Sequence, residues 1–142
     1  MNTAITTTDP SADTITPADV ATRLYAAVGA GDLAVVADLI APDVVLHVPG
    51  THPLAGDHHG LDGFARFTAA TSALTDDGED IEVVDVLGSD ERAAVYCHVT
   101  ATRAGRAPLD NMTVHVLRIV DGRVTEAWLH NFDDVAVSAF WA

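Results

Sequence analysis

Apolar residues recur at helical spacing in the first half of the chain and alternate with polar ones in the second half. Val20, Leu24, Ala27 and Val28 follow one helical face, and Thr16-Pro17-Ala18-Asp19 supplies a cap, a first-turn proline and an acid at the positive helix end. Gly29 and Gly31 end this helix. Asp32 caps a second one with Leu33, Val36, Leu39 and Ile40 as its buried stripe, stopped by Ala41-Pro42-Asp43. Val44 to Val48 reads as a short β-branched strand broken by Pro49-Gly50. A third helix is expected from a cap at Asp62, with Leu61, Phe64, Phe67, Thr71 and Leu74 on one side. Four strands follow: Ile81 to Leu87, Ala93 to Arg103, Met112 to Val120 and Val124 to Asn131. Asp121-Gly122 joins the last two as a hairpin. Asp133 caps a final short helix through Phe140 and Trp141.

Helices early and hairpins late imply an α+β fold with a curved, mostly antiparallel sheet wrapped by three to four helices. The strand from Met112 to Val120 is apolar on both faces, with Met112, Val114 and Val116 on one and Leu117 and Ile119 on the other. Such a strand is covered on both sides. Helices supply one cover, and a second copy of the chain is expected to supply the other, giving a homodimer.

Composition narrows the function classes. The chain has 142 residues, 49% of them hydrophobic, which suits one domain with a real core. Residues 1–16 read as a disordered tail rich in Thr, Asp and Ser, and 17–142 as the domain. No apolar run reaches the roughly 18 residues of a membrane span, and the N-terminus has no signal-peptide pattern. The net charge is −14 and lysine is absent, so nucleic acid and anionic membrane partners are disfavoured. The one cysteine, Cys97, lies in an apolar strand pattern and reads as a buried structural thiol. A reducing, cytoplasmic location is the simplest expectation.

Three segments carry a family resemblance. They are Gly31-Asp32-Leu33 through Leu39-Ile40-Ala41-Pro42-Asp43-Val44, then His47-Val48-Pro49-Gly50 through Pro53-Leu54-Ala55-Gly56 to Gly60, and His115 through Val124 with Glu126, Trp128, Asp134 and Phe140-Trp141. In this order and spacing the chain, from about Pro17 to Ala142, resembles the SnoaL-like branch of the nuclear transport factor 2-like superfamily. That group includes ketosteroid isomerases, polyketide cyclases, limonene epoxide hydrolases and scytalone dehydratase. The resemblance implies a cone around a pocket for a small apolar molecule, without a cofactor or metal. The carboxylate positions of the family do not carry over. Val48 stands where ketosteroid isomerases place their general base, and Leu129 or His130 stands where the cyclases place an Asp. His115 falls at the isomerases' oxyanion acid, and Leu24, with Tyr25 beside it, at their oxyanion tyrosine.

Histidine is the more conspicuous resource, because an imidazole exchanges protons near neutral pH. His47, His115 and His130, on predicted strands, and Tyr25, on the first helix, are the candidate catalytic residues. Val48, Phe64, Phe67, Leu117, Leu129 and Asn131 are the candidate substrate walls. His98 shares a polar face with Tyr96 and Thr100 and reads as a solvent or dimer position. His52, His58 and His59 with Asp57 match no zinc-site spacing, and their loop reads as a lid. Two functions are consistent with these residues. One is a cofactor-free acid-base enzyme of isomerase, cyclase, dehydratase or epoxide hydrolase type. The other is a non-catalytic small-ligand-binding or dimerisation module of the same fold.

Overall fold

The computed structural model describes residues 15–142. The expected tail lies outside the described residues except for Ile15 and Thr16. The elements run α1 (Pro17–Ala30), α2 (Leu33–Leu39), β1 (Ile40–Val48), β2 (Gly56–His59), α3 (Gly60–Leu74), β3 (Asp80–Gly88), β4 (Arg92–Ala101), β5 (Leu109–Val120), β6 (Arg123–Asn131) and α4 (Asp134–Trp141).

The caps explain where the helices begin. Thr16 accepts from the Asp19 amide while Asp19 accepts from the Thr16 amide, a reciprocal box that occupies two otherwise orphaned donors. Asp32 and Asp133 cap α2 and α4 through the amides of Val35 and Ala136. Gly31, at φ 69°, closes α1 in the left-handed conformation. The third helix departs from expectation. It starts at Gly60 with no side-chain cap bond, and Asp62 lies in its first turn.

The six strands form one sheet in the order β2-β1-β6-β5-β4-β3. β3 to β6 make the expected antiparallel meander, and β1 adds parallel to β6 with Leu46 opposite Ala127. The first two strands differ most from the sequence reading. β1 begins at Ile40, because the stretch expected to stop a helix is extended and bulged instead. β2 pairs antiparallel with β1, although its Gly-Asp-His-His sequence has no apolar alternation to announce it.

One face of the sheet packs under the helices. Val95, Cys97 and Thr113 are fully buried there together with Val20 and Ala21 of α1. The Cys97 thiol is engaged with nothing more reactive than the Val95 carbonyl, 3.6 Å away, and burial pushes its pKa up to about 11. Phe140 and Trp141 meet edge to face at 4.8 Å and close one end of the layer. The opposite face carries the half-buried Met112, Val114, Val116 and Trp128.

Gly50 fixes the turn after β1. Its φ is 108°, and an added Cβ would sit 2.6 Å from Ser138 Oγ and 2.9 Å from the His52 ring. Gly50→Ala is therefore expected to destabilise the fold by about 2–4 kcal/mol in urea denaturation, combining backbone strain with overpacking.

Candidate active site

The helices and the inner sheet face enclose a cavity of about 300 Å³, at the small end of the range for ligand pockets. Leu24 and Tyr25 of α1, Leu46 and Val48 of β1, and Phe64 and Phe67 of α3 form part of its wall. Val28 and Leu33, both exposed to solvent, line its mouth. β5 supplies the floor. Its inward positions read Leu109, Asn111, Thr113, His115 and Leu117, so three polar residues interrupt an apolar row.

Two of the candidate catalytic residues meet in this cavity. The Tyr25 hydroxyl lies 2.5 Å from His115 Nδ1. Burial, and secondarily the charge of His130, pushes the His115 pKa down to about 4. Burial, then the Cys97 thiolate, pushes the Tyr25 phenol above its usual range. Both groups are therefore neutral at pH 7. Tyr25 then donates to Nδ1, since the reverse arrangement would leave its hydroxyl proton without a partner among the described residues. This puts the imidazole proton on Nε2, the ring nitrogen left without a partner among the described residues. A neutral imidazole N–H in a dry pocket is a fixed donor for an oxygen that gains negative charge.

Glu79 is the carboxyl that the sequence reading missed. It lines the same cavity from the turn before β3, with no ion-pair partner among the described residues. Burial pushes its pKa up to about 7. Nothing in the acidic run Asp76-Asp77-Gly78-Glu79-Asp80 distinguishes it from its solvated neighbours. Asn111 was also missed, because the strand was expected to start at Met112; one further step of the alternation reaches it. Its Nδ2 donates to Asn131 Oδ1 at 2.9 Å, and Asn131 Nδ2 donates to Asp134 Oδ1 at 3.0 Å.

His47 and His130 require correction as pocket residues. His47 points to the outer sheet face, as strict alternation against the inward Val48 demands. There Asp57 and Glu126 hold its two ring nitrogens at 2.7 and 2.6 Å, and its ring stacks on Trp128. The hydrogen bond to Glu126 raises its pKa most; burial opposes this, and the bond to Asp57 adds a smaller rise. His130 is exposed and shares the outward positions of β6 with Trp128 and Glu126, with no bulge near the strand end to turn it inward. His98 lies outward too, bonded to Asp110 at 2.6 Å. The six candidate walls, Val48, Phe64, Phe67, Leu117, Leu129 and Asn131, all line the cavity. His52 of the expected lid also lines it, with Nε2 donating to the Pro49 carbonyl and Nδ1 accepting from the Leu54 amide. His58 donates to the Leu54 carbonyl instead of joining His52.

Comparison with known proteins gives a consistent family. The model of the SnoaL-like domain matches residues 21–127. An uncharacterized protein of Mycobacterium tuberculosis is 34% identical over 125 residues, 87% of this chain and 95% of its own. The structure of Bal32a, from a soil-derived mobile gene cassette, superposes with a TM-score of 0.84 at 29% identity, covering 89% of this chain and 96% of Bal32a. IdmH of Streptomyces antibioticus, a candidate polyketide cyclase, gives 0.68 at 27% identity over 87% of this chain and 94% of IdmH. An NTF2-like protein of Burkholderia pseudomallei, at 24% identity, 0.75 and coverage of 87% and 95%, shares the fold.

The opposite shifts of His115 and Glu79 predict opposite pH effects on stability. Unfolded His115 takes a proton near 6.5 and folded His115 near 4. The stability due to its neutral ring is complete above 6.5 and disappears as the pH falls toward 4. Melts across that window should show the advantage of wild type over His115→Asn shrinking by on the order of 3 kcal/mol. Glu79 ionises near 4.5 unfolded and near 7 folded. Its burial thus costs stability increasingly as the pH rises from 4.5 to 7, and Glu79→Gln should raise the melting temperature at pH 8 but not at pH 4.

Proposed function

This chain belongs to the SnoaL-like domain family, and from that premise we propose that it is a cofactor-free acid-base enzyme acting on a small, largely apolar carbonyl compound. One observation carries the reading: Tyr25 and His115, 2.5 Å apart and both neutral, form a donor device inside a mostly apolar cavity. The His115 Nε2–H holds the substrate carbonyl oxygen, and Tyr25 fixes the tautomer that makes it a donor. The carbon next to that carbonyl gives its proton to a water molecule acting as base, and negative charge moves onto the oxygen held by His115. The enolate then takes a proton back at another carbon, which is isomerisation, or attacks a second carbonyl of the same molecule, which is aldol-type closure. Glu79 adjoins Asp80, which is level with Thr100 and Asp110, so it lies toward the Leu109 end of the cavity, away from His115, and its ionisation changes the charge a ligand meets there. Similarity to IdmH supports the cyclisation outcome.

The apolar face formed by Met112, Val114, Val116 and Trp128 supports a second copy of the chain as its cover, and hence a homodimer. Val116→Arg should yield a monomer in analytical ultracentrifugation. The lone buried thiol, Cys97, fits a reducing, cytoplasmic location. The described helices include none long and apolar enough to cross a membrane.

Turnover of a panel of apolar ketones and diketones is the test. Binding of a neutral, apolar ketone should weaken as the pH rises through about 7 and Glu79 ionises in the cavity. Glu79→Gln should remove that pH dependence of binding. Tyr25→Phe and His115→Asn should lower kcat by about 10²–10³-fold, by analogy with loss of one oxyanion donor. Saturable binding of these ketones with no turnover at any pH would instead favour a non-catalytic ligand-binding module, a reading that the family's missing carboxylates at Val48 and Leu129 or His130 keep in play.

A further inference from the structure

We propose that the ligand of this cavity carries a hydrogen-bond donor, a hydroxyl or an N–H, remote from the oxygen held by His115, and that Asn111 Oδ1 is the acceptor that selects it. The inference rests on the cavity being the ligand site, as argued above, but not on any reaction there.

Asn111 is 6% exposed, lines the cavity, and its Oδ1 is buried with no partner among the described residues. An amide is normally free to exchange its oxygen and nitrogen by a flip, so an unpaired Oδ1 alone would say little. Here a chain of bonds fixes the orientation. A carboxylate only accepts, so Asp134 Oδ1 requires the NH₂ of Asn131. Asn131 then presents its oxygen to Asn111, which must answer with Nδ2. The oxygen of Asn111 is left over. The relay thus converts the charge of an exposed carboxylate at the start of α4 into a defined acceptor within the cavity wall.

The neighbouring side chains do not answer that acceptor. The Thr113 hydroxyl, next along the inward row of β5, donates to the His130 carbonyl. Tyr25 donates to His115. The oxygen has no surface open to water, so a ligand without a donor leaves it unpaired, whereas a donor brought to it by a small shift of the side chain gains a hydrogen bond. Asn111 and His115 are four positions apart on β5, which corresponds to about 13 Å along a strand. The preferred ligand is accordingly bifunctional: an acceptor oxygen at one end, an apolar body, and a hydroxyl or N–H toward the other.

Three fluorescent ketones test this by titration: an acetylnaphthol whose hydroxyl lies on the ring remote from the acetyl group, the same ketone without the hydroxyl, and its methyl ether. The wild-type protein should bind the acetylnaphthol about tenfold more tightly than the plain ketone, equivalent to ~1.4 kcal/mol, and more tightly than the ether. Asn111→Leu should reduce that preference to within about twofold. Asp134→Ala should narrow it as well and improve the ether, because both amides then flip freely and Nδ2 of Asn111 can face the cavity. A purely structural role for Asp134 would weaken all three ligands alike. Equal binding of acetylnaphthol and plain ketone by wild type overturns the inference and leaves the cavity reading intact. Failure of all three to bind overturns both. If Asn111→Leu does not fold, Asp134→Ala at the exposed end of the relay decides the matter.

Discussion

The period-two register of β5 is the constraint on which everything else hangs. This strand lies inside the sheet, paired with β4 from Arg92 opposite Arg118 to Ala101 opposite Leu109, and with β6 along its other edge. A slip of one residue would turn Asn111, Thr113 and His115 to the outer face and bring Met112, Val114 and Val116 into the cavity. The cavity would lose its polar floor, and the outer face its apolar cover. Ladder pairing on both sides, together with the Asp121-Gly122 turn at positive φ, excludes that slip.

Much of this architecture was legible in the sequence because it follows from local rules. Thr16, Asp32 and Asp133 cap helices through their own side chains, and Asp-Gly turns tightly whatever surrounds it. Alternation placed Leu117, Leu129 and Asn131 on the cavity wall, and His98 outside. The same rule turns His47 outward, opposite to the inward Val48. Other features depend on contacts distant in the chain. β2 owes its strand to an edge offered by β1, not to its own Gly-Asp-His-His sequence. Glu79 is singled out from an acidic run only by where the turn delivers it. The amide relay joins residues from two strands and a helix, and no one stretch of sequence announces it.

The cavity differs from the family pattern in where its polar groups lie. Family members place carboxylates on the first strand or the last, and this chain has Val48 and Leu129 or His130 there. Its polar groups are instead gathered on the floor strand and around it. Desolvation then sets their protonation states: a histidine is kept from charging, a tyrosine is kept from ionising, and a carboxyl is brought to the threshold. The same scaffold thereby supports a different arrangement of proton donors and acceptors.

One sheet separates two populations of histidine with opposite tendencies. His47 and His98, on the outer face, gain protons more readily than a free imidazole because carboxylates hold their ring nitrogens. His115, on the inner face, resists protonation because it is dry. A mild acid shift therefore adds positive charge to the outside of a chain that is otherwise −14, while His115 on the inner face stays neutral. The backbone layer acts as an insulator, and the exterior can follow the acidity of its surroundings without changing the protonation of His115.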